Sequence, residues 1–252
     1  MEPKINLEYL SHTQKWQDNF AKPNALQISQ HLNSGFTFSI SRNEYEQMKA
    51  NGRNPKDIHY YLGINKDKEF VILVIDDVSD ALGNHDNVFI KKLTNSISDS
   101  FIGAPEQGGY EISFKDALTR SFRWKLLATD WINYKFDNFD GDNMFYPLIK
   151  NSFKDLITVF NRKSCDYAHH FFGLQDKRLL PPENKNIVPI IDDFSHYILD
   201  IMITNIVPKE ERKDTFVDAS WPWDFNITQA ERLKMIESGK YSLLSLKTGD
   251  KI

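Results

Sequence analysis

Apolar and polar positions alternate along this chain with two different periods. FTFSI at 36–40 has the period-two pattern of a short strand. Ser41-x-x-Glu44 follows as a capping box, predicting a helix through about Ala50 that stops at Asn51-Gly52. IHYYLGI (58–64) and EFVILVI (69–75) flank the polar NKDK and read as a β-hairpin. An even four-residue loop pairs Ile64 with Glu69, which puts His59 opposite Val74 and diagonal to Asp76 on one face. A strand ending in YEIS then leads into a helix from Ser113 to about Tyr134.

The second half repeats the order. YPLI, a helix capped by Ser152, HHFFGL, NIVPIID and FNIT follow in turn, then a helix from Thr228 with Gly239 as its stop. The first 35 residues carry Ile5, Tyr9, Trp16 and Phe20 at helix-like spacing. No counterpart for them is apparent, so they read as an added helix.

Direct alignment strengthens the repeat. SFIGAPEQGGYEISFKDAL (100–118) lies without gaps on TFVDASWPWDFNITQAERL (215–233), like on like in size and polarity. His59 to Ile64 matches His169 to Leu174, 110 positions on, and Ile75-Asp76-Asp77-Val-Ser79 matches Ile191-Asp192-Asp193-Phe-Ser195, 116 on. The extra length falls at PPENKN (181–186). The pattern predicts an α+β fold with mainly antiparallel sheet. It is a tandem internal duplication of β-α-β-β-(variable)-β-α units, packed about a pseudo-twofold axis. The implied organisation is an N-terminal helical extension (1–35), repeat 1 (36–135), a linker through FDNFDGDN (136–145) and repeat 2 (146–252).

Composition narrows the function classes. The 252 residues include 31 basic and 35 acidic side chains, a net charge of −4 with no basic cluster, so no nucleic-acid partner is expected. The longest apolar run, FVILVI, is too short to span a bilayer, and the start lacks the apolar core of a signal peptide. The single cysteine, Cys165, excludes an intrachain disulfide framework and favours a reducing, cytoplasmic setting. The sequence names no cofactor, and it leaves the oligomeric state and the partner, a small molecule or a protein, unspecified.

Chemistry centres on DDVSD at 76–80. D-D-x-x-D is the spacing by which helical diphosphate enzymes chelate magnesium, but here it follows a β-branched run and belongs to a strand end. The repeat also puts His196 where Asp80 stands, which takes Asp80 out of the argument. Two readings of the remaining I-D-D-x-S stay open. In the local one, Asp and Ser side chains close the strand and start the next turn. In the other, His59 with Asp76 and His169 with Asp192 form His/Asp pairs that converge across the axis, as a metal-dependent hydrolase would need. The loop SWPWD adds Trp221 and Trp223, a rigid aromatic platform where the first copy has PEQGG. The expected function is a non-catalytic binding or interaction protein with an aromatic groove between its repeats. The metal-dependent hydrolase is the alternative.

Overall fold

The computed structural model describes residues 6–18, 25–35, 37–50, 54–94, 111–112, 114–137, 148–161, 165–176, 194–205, 216–218, 220–221, 234–235 and 237–244. Two helices open the chain, α1 (Leu7–Asp18) and α2 (Ala25–Leu32). Next come β1 (Thr37–Ser41), α3 (Arg42–Ala50), β2 (Asp57–Ile64), β3 (Phe70–Asp76), α4 (Asp77–Ala81) and β4 (Phe89–Lys91). The order continues with β5 (Glu111–Ile112), α5 (Phe114–Asp137), β6 (Leu148–Ser152), α6 (Phe153–Phe160) and β7 (Tyr167–Asp176). Last are β8 (Tyr197–Asn205), β9 (Phe216–Asp218) and β10 (Ser220–Trp221), with a short 3-10 turn at Ser242–Leu244.

The local rules act where the sequence placed them. Glu44 accepts from the Ser41 backbone amide at 2.7 Å while the Glu44 amide donates to Ser41 Oγ at 3.3 Å, closing the capping box of α3. Ser152 Oγ caps α6 by accepting from the Lys154 amide. Gly239 has φ 65°, a left-handed conformation that glycine adopts without strain, after the Ser238 amide has closed a turn on the Lys234 carbonyl. The extension differs from expectation in being two helices, with the Trp16 ring fully buried.

All ladders among the described residues are antiparallel, so the fold is α+β with antiparallel sheets. Sheet A runs β1-β7-β8-β9-β5 and sheet B runs β10-β6-β2-β3-β4. Each draws its strands from both halves of the chain. The first strand of the N-terminal half, β1, pairs with β7, and the first strand of the C-terminal half, β6, pairs with β2. The sheets meet at both seams. β10 follows β9 after the single residue Ala219 and pairs with β6, while Thr94, just beyond β4, bridges to Thr37 of β1. The strands thus follow one another around a circuit.

The hairpin of β2 and β3 departs from the expected register. Ile64 pairs with Phe70 and His59 with Ile75. Lys68 takes φ 63°, and the Asn65 amide bonds the Glu69 carbonyl at 2.9 Å, so the loop has five residues instead of four. That extra residue shifts every pair by one. The second hairpin differs more. The strand paired with β7 is β8, starting at Tyr197 after the I-D-D-F-S stretch; a strand at NIVPIID lies outside the described residues, as do residues 228–233 of the expected last helix, and the expected linker start, Phe136 and Asp137, instead belongs to the end of α5, with 138–145 outside the described residues.

The faces of the sheets have different roles. Tyr60 of β2 donates its hydroxyl proton to His170 Nε2 of β7 at 3.1 Å, so both side chains point into the space between the sheets. Phe38, Ile40, Ile58, Ile72, Phe172 and Ile201 fill that core with them, and fully burying such side chains contributes roughly 1.5–3 kcal/mol each. The outward faces carry helices. α1 lies over Gly63, where an added Cβ would meet His12 Cβ at 3.2 Å; α5 lies over Gly173, where it would meet Arg120 Cβ at 2.9 Å. Both glycines permit close helix approach.

Candidate functional site

DDVSD spans the end of β3 and the start of α4, and its aspartates part company there. Asp76 registers with Ile58 and faces the inner core, while His59, beside Ile58 on its strand, faces outward. The expected His59–Asp76 contact therefore does not form, because the one-residue shift puts the two on opposite faces. Asp76 instead caps α4, its Oδ1 accepting from the Val78 amide at 3.1 Å and the Ser79 amide at 2.8 Å. Its Oδ2 is buried and makes no hydrogen bond among the described residues.

The acid that meets His59 is Asp80, the residue the repeat argument had set aside. One turn of α4 carries it back over the outer face of β2, where it is fully buried. Asp80 Oδ2 accepts from His59 Nδ1 at 2.6 Å and from the Tyr61 hydroxyl. Its Oδ1 accepts from the Ser242 amide at 2.8 Å and from Ser242 Oγ at 2.6 Å. Four donors satisfy a carboxylate's lone pairs and stabilise its charge in a place water does not reach. Burial and then the Asp80 charge hold the Tyr61 hydroxyl well above the usual phenol range. Tyr241, whose ring centroid lies 5.1 Å from that of His59, is pushed up to about 12 by burial and then by Asp57, Asp80 and Asp77.

The network continues to His85 and has a fixed direction. The Asn6 amide donates to His85 Nδ1 at 2.8 Å, so the ring proton sits on Nε2, which donates to Ser242 Oγ at 2.9 Å. Ser242 Oγ in turn donates its hydrogen bond to Asp80 Oδ1. His85 therefore cannot accept a proton from Ser242 in this arrangement, and the serine is not primed as a nucleophile. Burial lowers the His85 ring below the ordinary imidazole range, in keeping with this neutral form. His59 Nε2 makes no hydrogen bond to a described residue, but the side chain is only 2% exposed.

His169 sits at the corresponding position of β7 and faces outward from sheet A, away from His59 on sheet B. It bonds Ser39 Oγ through Nδ1 at 2.7 Å, is half-buried, and is lowered by burial. The two histidines do not converge. Trp221, on β10, registers with Lys150 of β6, and Lys150 registers with His59, so two of the expected site residues share one row across sheet B. Asp192 and Trp223 lie outside the described residues. Trp124 and Trp131 of α5 are core side chains, 1% and 0% exposed. Among the described residues, no group of three or more His, Cys, Asp or Glu side chains is arranged to hold a metal ion.

Sequence reasoning missed Asp80, His85 and Ser242. Tyr61 was within reach, two residues from His59 and hence on its face. Ser242 gave no signal, because it meets Asp80 across 162 positions of chain. Comparison with known protein families, curated proteins and solved structures finds no match for this chain.

Proposed function

We propose that this chain is a non-catalytic binding or interaction protein built by tandem duplication. The observation that carries the non-catalytic reading is the closure of the Asp80 cluster upon itself. The residues nearest to catalytic spacing, His59, Asp80, Ser242 and His85, spend their hydrogen bonds on fastening five separated parts of the chain together. The recognition surface in this reading is an aromatic groove between the two repeats, near β10, where Trp221 stands in register with Lys150 of β6.

Reciprocal geometry supports the duplication and its pseudo-twofold axis. Ser41 registers with Tyr167 as Ser152 registers with Asp57, and Thr37 with Phe171 as Leu148 with Tyr61. The Arg42 amide donates to the Asp166 carbonyl at 2.8 Å, and the Phe153 amide donates to the Lys56 carbonyl at 2.7 Å, the same bond with the halves exchanged. Tyr60 meets His170, its own match 110 positions on, as residues beside a twofold axis do. The match also reaches the N-terminal extension: Leu10, His12, Lys15 and Trp16 fall on Leu118, Arg120, Arg123 and Trp124, all 108 positions on. On this reading each unit begins with the helix that covers its glycine.

Metal analysis of the purified protein tests the non-catalytic reading. The expected result is no stoichiometric metal, with His59→Ala and Asp80→Ala losing stability alone. Stoichiometric metal that both variants lose would overturn it in favour of the hydrolase.

A further inference from the structure

We infer that the chain is two interlocked subunits on one polypeptide, residues 1–94 and 111–244, and that each holds the other through contacts that need no covalent connection between Thr94 and Glu111. The partner that each unit fits is the other unit, supplied on the same chain or on a separate one. This goes beyond the binding reading and does not rest on it, because it depends only on contacts between the units.

The neighbours of β5 and α5 set the boundary. α5 packs on β7 and β8, where Trp131 Nε1 donates to the Tyr197 carbonyl at 3.0 Å and Arg120 pairs with Asp200. β5 pairs with β9. Both elements therefore belong with the strands that follow them. On the other side, α1 packs on β2, and Thr94 bridges back to Thr37. Each unit so defined carries its own covering helix, α1 or α5.

Neither unit completes its own sheet. β2 is buried throughout 58–64, with β3 of its own unit on one side and β6 of the other unit on the other. β7 lies in the same way between its own β8 and β1 of the first unit. Taking away either unit would bare the edge of a long apolar strand, the kind of edge through which chains aggregate. Added strands gain affinity from main-chain hydrogen bonds, and side chains fix their register. Here Phe38 stacks on His170 and Tyr45 on Phe160, each with ring centroids 4.6 Å apart. Arg42 donates from Nε to the Cys165 carbonyl at 2.9 Å and from Nη2 to the Phe160 carbonyl at 3.0 Å. Lys150 pairs with Asp57 at 2.7 Å. One buried apolar cluster takes Phe38, Tyr60 and Ile72 from the first unit and Phe153, Phe172 and Ile201 from the second. Exchanged strands over a shared core are the anatomy of an obligate dimer interface, which resembles a domain core cut in two.

The test uses the full chain with a protease recognition sequence inserted between Ser98 and Asp99. It is cut in the folded state or, where the folded chain resists, in urea before dilution. The cut protein is expected to elute at the mass of the uncut chain and to recover its near-ultraviolet spectrum when both pieces are diluted together from urea. Its urea midpoint is expected to rise with protein concentration, as for any folded state made of two chains. Pieces that separate at micromolar concentration overturn the proposal, as does either piece that gives its folded spectrum alone. Self-paired 1–98 pieces in place of the one-to-one particle give the surface to a second copy and overturn the assigned partner. Arg42→Ala checks the contact surface. Its cut pieces are expected to bind each other about tenfold more weakly, and an unchanged dissociation constant overturns that surface. Stoichiometric metal would sink the non-catalytic reading and leave this inference standing, whereas separated pieces would do the reverse.

Discussion

The outer faces of the two sheets start from matched positions and end in different chemistry. On sheet B, His59 is sealed beneath Tyr241 and bonded to a buried carboxylate. On sheet A, the matched His169 bonds a serine hydroxyl, has the Tyr167 ring 6.3 Å from its own, and stays half-buried. The covering helices differ in the opposite sense. Arg120 of α5 forms an ion pair with fully buried Asp200 at 2.6 Å, while His12 of α1, at the matched place over its glycine, has no hydrogen-bond partner for either ring nitrogen among the described residues. Identical backbone registers therefore do not dictate where polar groups are buried. Among the described residues, each outer face has one well-paired buried carboxylate, Asp80 of α4 on sheet B and Asp200 of β8 on sheet A.

Removing those carboxylates' partners, or the carboxylates themselves, is the most direct way to break the comparison. Asp80→Ala strands the donors of His59, Tyr61 and Ser242 and should cost about 3–5 kcal/mol in urea unfolding. Ser39→Ala, on the half-buried bond of sheet A, should cost no more than about 1 kcal/mol. Equal losses would mean that the sealed face is no more demanding than the open one. Arg120→Ala leaves Asp200 buried without its guanidinium and should cost about 3 kcal/mol. His12→Leu should be neutral or stabilising, since it replaces a ring whose nitrogens are unsatisfied. A large loss at His12 would reveal a role for it that the described hydrogen bonds do not contain.

A pH-dependent effect belongs to the centre, where the two halves meet. Burial lowers the His170 pKa to about 3. The unfolded chain, with an ordinary imidazole, binds the proton more readily below about pH 6.5, so stability is present above that value and is lost as the pH falls towards 3. The loss should reach about 2 kcal/mol at pH 5, measured as a shift of the urea midpoint. His170→Gln should flatten this dependence whatever it does to stability at neutral pH. His169 is lowered too, but its half-buried ring should contribute less.

Much of the frame was legible in the residues themselves. Ser41 and Glu44 announced α3, the β-branched FVILVI announced β3, and the apolar runs at IHYYLGI and HHFFGL announced β2 and β7. These are signals within a few residues of chain or copied between halves. The hairpin register was not legible, because it turned on one backbone angle at Lys68, a residue with no special preference for that conformation. The match of the two I-D-D-x-S stretches misled for a related reason. Similar short patterns can precede a strand or end one, and only strand pairing shows that the first stretch closes β3, the partner of β2, while the second precedes β8, the partner of β7.

The chain's own order of apolar and polar residues thus determined that hairpins and helices form, and where most of them begin. Local physics decides such things, since caps, turns and alternation act over one or two turns of chain. Tertiary structure alone decided that the first strand of each half lies in the other half's sheet, and that Asp80 rather than Asp76 meets His59. Both depend on which surfaces bury each other across tens or hundreds of positions, and Ser242 reaches Asp80 only because Tyr241, Leu243 and Leu244 are drawn onto an apolar face beside it.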